Sequence, residues 1–449
     1  MTNAQEFYWE RQAAAEKLCL DLLAQYMRDN TTLTRLAERI RTHTSGRLLD
    51  WVDHLLVRDT AALRETLATC GYVPQSATTH VAWRHPGALL PRLMLVGNSV
   101  GPVPGVALRV ENLADFLQTN GFAAEIEGAP LSLYRRCLVS VRAGTALWAV
   151  ERRGGDGYEP TNPGEDYPGR YLSALHDWQI RARDGENEDL AWGEAERLAQ
   201  GLIAQFGTDV AASVICEAER RYWQARNFAG GVQKHRQDAL GLGWANQDHH
   251  TFRSSRRHFA KLVKLFSDLG FEHRERFYAG AEAGWGAQLM ENPRAGLTLF
   301  LDVDLAPEEV ATDFSAEELP ELEQLGTVGL WCALHGDSIL GAGMHHLAAQ
   351  FDFPRLKEDL ARHGIGFMAP FSDFSYLKQA FSVAERWPVA EGRVAYLRRN
   401  QRISAEQEEK FLAQGAIGSH LENIQRCEGY KGFNKKNVSA IILTTDPRQ

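Results

Sequence analysis

Cysteine is scarce in this sequence, and its few cysteines are scattered. The 449 residues contain six of them and no Cys-x-x-Cys pair. A disulfide framework and a cysteine-based zinc finger are therefore not expected. The first residues, Met1–Glu6, are polar and acidic and lack the basic-then-apolar pattern of a leader. We expect a cytoplasmic protein with free thiols.

Long apolar runs and excess positive charge are absent as well. No stretch approaches the roughly 20 apolar residues of a spanning helix, so no membrane partner is expected. Asp and Glu number 58 against 49 Lys and Arg, for a formal charge of −9. Because no basic excess is available to neutralise phosphates, no nucleic-acid partner is expected either. The 44% of hydrophobic residues predicts an ordinary folded core.

Common catalytic and nucleotide-binding motifs are missing too. The sequence has no Walker motif, no Gly-x-Ser-x-Gly elbow and no His-Glu-x-x-His pair. Gly341-Ala342-Gly343 lacks the third glycine of a dinucleotide-binding turn. Any chemistry must therefore come from residues that are distant in sequence.

The sequence does contain an internal repeat. Asp53–Arg58 and Asp248–Arg253 share the pattern Asp-His-x-x-apolar-Arg, and each precedes a helix that ends at a Gly-aromatic pair, Gly71-Tyr72 or Gly270-Phe271. Short apolar runs after each repeat predict strands. The pattern predicts an α+β fold of tandem β-α-β-β-β modules in curved mixed sheets. Two similar halves, each with a helical preface, would make up the chain.

Composition and turn signals predict the domain organisation. The turn-rich stretch 154–168 separates the halves, and a last helix is predicted over 404–421. We expect the following segments: helices over 1–48, a first half over 49–155, a linker and helices over 156–240, a second half over 241–405, and a C-terminal helix and tail over 406–449.

Histidines at the starts of paired strands are candidate metal ligands. In the second half these are His249 or His250 and His345 or His346, and only one of each pair can face a common site because adjacent strand residues point to opposite faces. Imidazole suits Fe(II), Mn(II), Zn(II) and Ni(II). Arg253 lies on the same strand face as His249, and an arginine fork beside a metal suits a carboxylate-bearing substrate. The alternative is that each histidine pair is one surface and one core residue.

These motifs resemble a known family. Asp248–Arg253, Gly343–Leu347 and Lys378–Phe381 are similar to motifs of the 2-oxoadipate dioxygenase/decarboxylase (hydroxyglutarate synthase) family, a member of the vicinal-oxygen-chelate superfamily. The similarity covers roughly residues 240–405, with a weaker echo over 50–153. The superfamily is built from the β-α-β-β-β modules predicted above.

The resemblance implies a site and a reaction. Fe(II) would be held by two histidines, His249 and His346, and a glutamate. Arg253 would bind the carboxylate of a 2-oxo acid, with Gln379 on a neighbouring strand. The implied partners are O₂ and a small carboxylate substrate, which would be decarboxylated and hydroxylated.

The third ligand departs from the family pattern. It falls at Arg398, which cannot ligate a metal because it is always protonated; Arg398 becomes a candidate substrate-binding residue. Glu385 is our first candidate for a replacement, and Glu291, Glu391 and Asp302 are alternatives. The metal could also be held by the histidines with substrate and water, or metal chemistry could be lost.

The first half predicts a degenerate copy of the site. His54, Arg58 and Glu151 stand at positions of the site, while the middle position, near Ala107 or Leu108, is apolar. In this comparison, Val150-Glu151-Arg152 of the first half is equivalent to Leu397-Arg398-Arg399 of the second, and each is predicted to be the last strand of its half.

The leading hypothesis is a non-haem Fe(II)-dependent oxygenase that decarboxylates a 2-oxo acid or amino-acid derivative. One alternative is a non-redox isomerase or lyase of the same superfamily that uses Zn(II), Mn(II) or Ni(II) as a Lewis acid. Another is a small-ligand-binding protein without catalysis. The oligomeric state, a homodimer included, is open.

Overall fold

Two helices begin the described chain, as the sequence predicts. The computed structural model describes residues 8–76, 81–97, 102–184, 187–281, 283–434, 441 and 444–449, so Met1–Glu6 and part of the polar tail lie outside the described residues. Helices α1 (Ala13–Asp29) and α2 (Thr31–Thr44) meet at Asn30, whose side chain accepts hydrogen bonds from the first turn of α2.

The first half forms a seven-stranded mixed sheet in the order β2-β3-β4-β1-β5-β7-β6. Its buried side chains pack against α1 and α2. Its elements are β1 (Val52–Arg58), α3 (Ala61–Thr69), β2 (Val73–Ser76), β3 (Val81–Arg84), β4 (Arg92–Val96), β5 (Gly105–Arg109), α4 (Leu113–Asn120), β6 (Tyr134–Arg142) and β7 (Thr145–Arg152).

A helical layer follows and joins the core of the second half. It consists of α5 (Tyr167–Ile180), α6 (Glu188–Phe206), α7 (Thr208–Gln224) and α8 (Phe228–Asp238). Among the described residues, none of the helices in the chain combines the length and the apolar character that a membrane span requires.

The second half forms a nine-stranded mixed sheet in the order β9-β10-β11-β8-β12-β16-β14-β13, with β15 paired to β16. Its elements are β8 (Gln247–Arg253), α9 (Phe259–Asp268), β9 (Glu272–Tyr278), β10 (Trp285–Asn292), β11 (Leu297–Asp304), α10 (Thr327–His335), β12 (His346–Ala349), α11 (Phe353–Ala361), β13 (Ser372–Phe374), β14 (Leu377–Phe381), β15 (Glu385–Trp387), α12 (Glu391–Arg399), α13 (Ala405–Gln414) and β16 (Ala416–Arg426).

The two sheets repeat the same connections. Strand β1 pairs in parallel with β4 and antiparallel with β5, as β8 does with β11 and β12. Strand β5 then pairs in parallel with β7, as β12 does with β16. The predicted α+β fold with curved mixed sheets in two similar halves is confirmed. Matching strands also give each residue of one sheet an equivalent in the other.

The sequence pattern fails at the C-terminal end of the second half. The helix predicted over 404–421 ends at Gln414, because Gly415 stops it, and the chain continues as β16. Leu397-Arg398-Arg399 is part of helix α12, so its assignment to the last strand is wrong. Strand β16 is thus part of the second sheet, although the expected boundary at 405 separates the two; the domain division itself stays a prediction.

Alternation along the strands gives the second sheet two different faces. On β11, Leu299 and Leu301 belong to the core shared with the helical layer, whereas Phe300 faces a separate aromatic cluster. Asp302, two residues after Phe300, points to that same second face. The candidate site lies on this face.

Candidate metal centre

Three neighbouring strands bring two histidines and a glutamate together. Ala348 on β12 pairs with His249 on β8 and with Glu422 on β16. His346 precedes Ala348 by two residues and so shares its face. This strand register therefore brings the side chains of His249, His346 and Glu422 to one point on the same face of the sheet.

The three side chains form a compact buried group. One ligand atom from each of His249, His346 and Glu422 lies within 4.8 Å of the other two, and all three residues are buried. Glu422 Oε2 is 3.3 Å from His249 Nε2 and 2.9 Å from His346 Nε2. Among the described residues, this is the one group of acidic, histidine or cysteine side chains whose geometry suits a metal ion.

A second layer of contacts orients the imidazole of His249. Its Nδ1 is 3.0 Å from Asp248 Oδ1. Asp248 in turn accepts two hydrogen bonds from Arg426, at 2.7 and 3.0 Å, and one from Gln350. A carboxylate on Nδ1 fixes the tautomer that leaves Nε2 free to bind a metal.

Similar contacts hold the other two members. Nδ1 of His346 lies 2.8 Å from Nδ1 of His345. The Thr251 hydroxyl lies 2.8 Å from Nε2 of His346. Gln379 donates a 2.9 Å hydrogen bond to Glu422 Oε1 and leaves Oε2 for the histidines. All three ligand atoms are thereby directed inward.

When no cation is bound, electrostatic interactions favour a protonated His249 beside an ionised Glu422. Burial lowers the pKa of His249, but the Glu422 and Asp248 carboxylates outweigh burial and raise it to about 9. Burial raises the pKa of Glu422, yet the two histidines lower it to about 2. In the metal-free protein, His249 and Glu422 thus form an oppositely charged pair.

A cavity of about 60 Å³ opens beside the group. Its walls are mostly aromatic, which keeps bulk water away from the ligand atoms. Its polar lining comes from Arg253, Asp302, Gln379, Asn434 and Thr445. The aromatic lining comes from Phe277, Trp285, Phe300, Phe371, Phe381 and Phe433.

Arg253 presents unused donors to this cavity. It is 3% exposed, and its Nε and Nη1 have no hydrogen-bond partner in the described part of the chain. Asp302 Oδ2 is 3.7 Å from Nε, which is too long for a hydrogen bond. Burial raises the pKa of Asp302 to about 7 despite Arg253. A buried guanidinium with unsatisfied donors is suited to a ligand carboxylate.

The remaining predicted residues of the second half lie elsewhere. Glu385 is on β15, but its Oε1 accepts hydrogen bonds from the backbone N–H groups of Phe228 and Ala229 at the start of α8. Arg398 is half-exposed on α12, 3.4 Å from Glu408. Neither belongs to the buried group, whose carboxylate is Glu422. Gln379 does line the cavity, and it holds Glu422.

Sequence reasoning missed Glu422 although one signal was present. Gly415 and Gly418 interrupt the apparent helix over 404–421, and glycines near a helix end favour a stop followed by another element. The last strand of the first half was also matched to the wrong segment of the second half, Leu397–Arg399. Arg152 forms a buried ion pair with Asp53, as Arg426 does with Asp248, so β7 matches β16.

The first sheet lacks two of the three ligands at equivalent positions. His54 pairs with Ala107, and Ala107 with Trp148, as His249 pairs with Ala348 and Ala348 with Glu422. By this register Trp148 occupies the position of Glu422, and Gly105 that of His346. The space between is a cavity of about 10 Å³, which His54 and Trp148 line.

Local packing explains why this site is closed. A Cβ atom at Gly105 would overlap the carbonyl oxygen of Ala146, so no side chain fits there. His54 is held by Asp53 at 2.7 Å and lies against Tyr158.

Glu151 points to the other face. It accepts a hydrogen bond from the backbone N–H of Leu113 and pairs with Arg135 and Arg153. The triad that includes Glu151 is therefore not formed. Arg58, the equivalent of Arg253, is exposed at the end of β1.

Comparisons with known proteins give distant similarities. No family model and no curated protein matches the chain. A mutant 4-hydroxymandelate synthase from Streptomyces coelicolor is 12% identical over 88% of this chain and 98% of its own, with a TM-score of 0.29. A methylmalonyl-CoA epimerase from Mycobacterium tuberculosis is 11% identical over 41% and 89%, with a TM-score of 0.24.

Glyoxalase I from Zea mays is 18% identical over 24% of this chain and 45% of its own, with a TM-score of 0.18. TM-scores of this size are too low to transfer a function to this chain. The chemistry of the site therefore follows from its own residues.

Proposed function

We propose that this protein is a non-haem Fe(II)-dependent oxygenase that decarboxylates a small carboxylate-bearing substrate, a 2-oxo acid or amino-acid derivative. The observation that carries the proposal is the buried group His249, His346 and Glu422 beside the unpartnered donors of Arg253. Two histidines and one carboxylate with open positions are the donor set of non-haem Fe(II) oxygenases.

The residues fit a divalent transition metal. Both imidazoles have Nδ1 engaged by a neighbour, so each offers Nε2 toward Glu422 Oε2. The mixed nitrogen and oxygen set disfavours Mg(II) and Ca(II), which prefer oxygen ligands alone. A bound Fe(II) would supply the electrons for O₂ activation and open positions beside its three protein ligands.

The other cavity residues would bind and orient the substrate. Arg253 would grip its carboxylate with two parallel hydrogen bonds, at a depth where solvent does not compete. Gln379 keeps Glu422 in place through the 2.9 Å hydrogen bond to Oε1. The aromatic walls exclude water from the reacting atoms, which protects reactive species from side reactions.

Asp302 favours a second candidate function, a non-redox isomerase or lyase. Its carboxyl group faces the same cavity, and its pKa of about 7 suits proton transfer near neutral pH. With Zn(II), Mn(II) or Ni(II) as a Lewis acid, such a base could move a proton next to a carbonyl group.

Oxygen uptake with a panel of 2-oxo acids tests the proposal. Anaerobically purified protein, loaded with Fe(II), should consume O₂ and release CO₂ in equal amounts with at least one substrate. Glu422→Gln should abolish both, while the matched variant Glu385→Gln should retain them. Turnover of a carboxylate substrate without O₂ uptake would favour the non-redox candidate, and full activity of Glu422→Gln would refute the metal centre.

A further inference from the structure

A larger cavity, separate from the metal centre, lies where the two halves of the chain meet. We call it the inter-half cleft. Its volume is about 350 Å³, and it is lined by the Asp53–Arg152 pair of the first half and the Asp248–Arg426 pair of the second. Clefts of about 300–1,000 Å³ accommodate drug-sized ligands, so this one has room for a ligand larger than the cavity beside the metal centre would hold.

Most carboxylates of this cleft are already neutralised. Besides the two pairs above, Asp50 is bound by Arg47, and Glu291 by Lys431. The other two acidic residues that line the cleft, Glu16 and Asp156, form no ion pair within the described part of the chain. Neither of these two carboxylates is in ion-pair contact with Arg92 or Arg109.

Arg92 and Arg109 are two cations that line this cleft. Neither forms an ion pair with a carboxylate of the described residues, and Arg92 donates a hydrogen bond to the carbonyl of Asp156, at 3.1 Å. Burial lowers the pKa of Arg109, and the charges of Arg152, Arg220 and Arg92 lower it further, while Asp53 opposes them. Arg92, Arg109 and Arg152 thus line one cavity and lie within electrostatic reach of one another.

This basic wall is a feature of the first half alone. By strand register Arg92 on β4 matches Thr298 on β11, and Arg109 on β5 matches Gln350 after β12. The equivalent positions of the second half are therefore neutral. Two arginines on the half with an incomplete metal site, in a protein with a net charge of −9, indicate a local role for positive charge.

We propose that the inter-half cleft binds a small organic or inorganic anion that carries phosphoryl or multiple carboxylate groups, with Arg92 and Arg109 as its principal contacts. A bound anion relieves the repulsion among the guanidinium groups and satisfies their free donors. Arginine forks recognise both phosphate and carboxylate oxygens in a bidentate manner. The principal contacts thus come from the half of the chain that lacks two metal ligands, and the proposal does not rest on the proposed oxygenase function.

Titration calorimetry on the full chain tests this proposal, with inorganic phosphate and citrate as probes and chloride at equal ionic strength as the reference. One probe at least should bind with a stoichiometry of one per chain. A preference for phosphate would identify a phosphoryl ligand, and a preference for citrate a polycarboxylate. Binding of neither above the chloride reference would overturn the proposal.

Matched variants locate the binding. Arg109→Met and Arg92→Met should each weaken binding by about tenfold or more, since each removes charge-assisted hydrogen bonds. Arg109→Lys keeps the charge but loses the fork, so its loss should be smaller. Arg142→Met, an exposed arginine of the β6–β7 hairpin, is the control and should bind as the wild type does. Wild-type affinity in folded Arg92→Met and Arg109→Met proteins would refute the assignment.

Discussion

The two sheets share their strand order and one buried ion pair, yet they differ at the candidate metal centre. Asp53–Arg152 and Asp248–Arg426 tie equivalent strands together in both halves, and each aspartate contacts a histidine. The Asp-His pair is therefore part of the scaffold and does not by itself indicate a metal. What distinguishes the second sheet is the residue on each of the two neighbouring strands, His346 and Glu422.

The largest expected difference between the halves is in metal content, when one histidine is removed from either half. His346→Ala should lose bound metal and all metal-dependent activity, because only two of the three protein ligands remain and two are too few to hold the metal. His54→Ala should keep about one transition metal per chain. Elemental analysis of the two purified variants beside the wild type measures this. Loss of metal in His54→Ala alone would reverse the roles of the halves.

Substitution of the two equivalent arginines is expected to separate the cavities. Arg253→Met should lower kcat/KM by about 100-fold, because a buried bidentate contact with the substrate carboxylate is lost. Arg58→Met should leave kcat/KM within about twofold, since Arg58 is exposed, lies outside the cavity beside the metal centre, and acts on it only through screened charge. Steady-state kinetics with one substrate compare the two. Equal losses in both variants would contradict a substrate role for Arg253.

The shared ion pairs should affect stability in both halves but metal binding in one. Asp248→Asn and Asp53→Asn should each destabilise the fold by about 3–5 kcal/mol, because a buried arginine loses its partner. Only Asp248→Asn should also weaken metal affinity, by about 10- to 100-fold, because it orients His249. Denaturant unfolding and competition with a chelator measure the two effects. Unchanged metal affinity in Asp248→Asn would argue against its orienting role.

Asp302 should give the second sheet a pH dependence that the first lacks, since Val96 is its equivalent there. Burial raises the pKa of Asp302 to about 7, so the folded state holds its proton at pH values where the unfolded chain has lost it. Stability is then highest below about pH 4 for this group and falls as pH rises toward 7, by a few kcal/mol at about 1.4 kcal/mol per pKa unit.

Unfolding of the metal-free protein at several pH values tests this dependence. Asp302→Asn should flatten the fall between about pH 4 and 7. Some slope should remain, because burial also raises the pKa of Asp304, to about 6. An unchanged slope in Asp302→Asn would show that Asp302 titrates normally in the folded protein.

The sequence predicted those parts of the site that local patterns encode. His249 and Arg253 stand on one strand, and the spacing along that strand determines which side chains share a face. The duplication likewise shows in short repeated motifs. Glu422 could not be predicted in this way because its position depends on the pairing of β16 with β12, and 76 residues with three helices separate His346 from Glu422.

Glu385 shows the limit of such reasoning from the other side. It is on a strand antiparallel to β16, but a helix N-terminus attracts its carboxylate. Neither the competing helix end nor the displaced match between last strands is visible in the residues themselves. Only tertiary contacts decide between two acidic side chains on adjacent strands.

The close approach of β5 to β7 at Gly105 also bears on the history of the duplicated chain. A single base change cannot restore a ligand at this position, because any side chain would first require the two strands to separate. Restoration would also need Trp148 to be replaced at the same time. A metal site in the first half would thus need several simultaneous changes, which stepwise mutation rarely supplies. Selection on that half can then act on other properties of its surface.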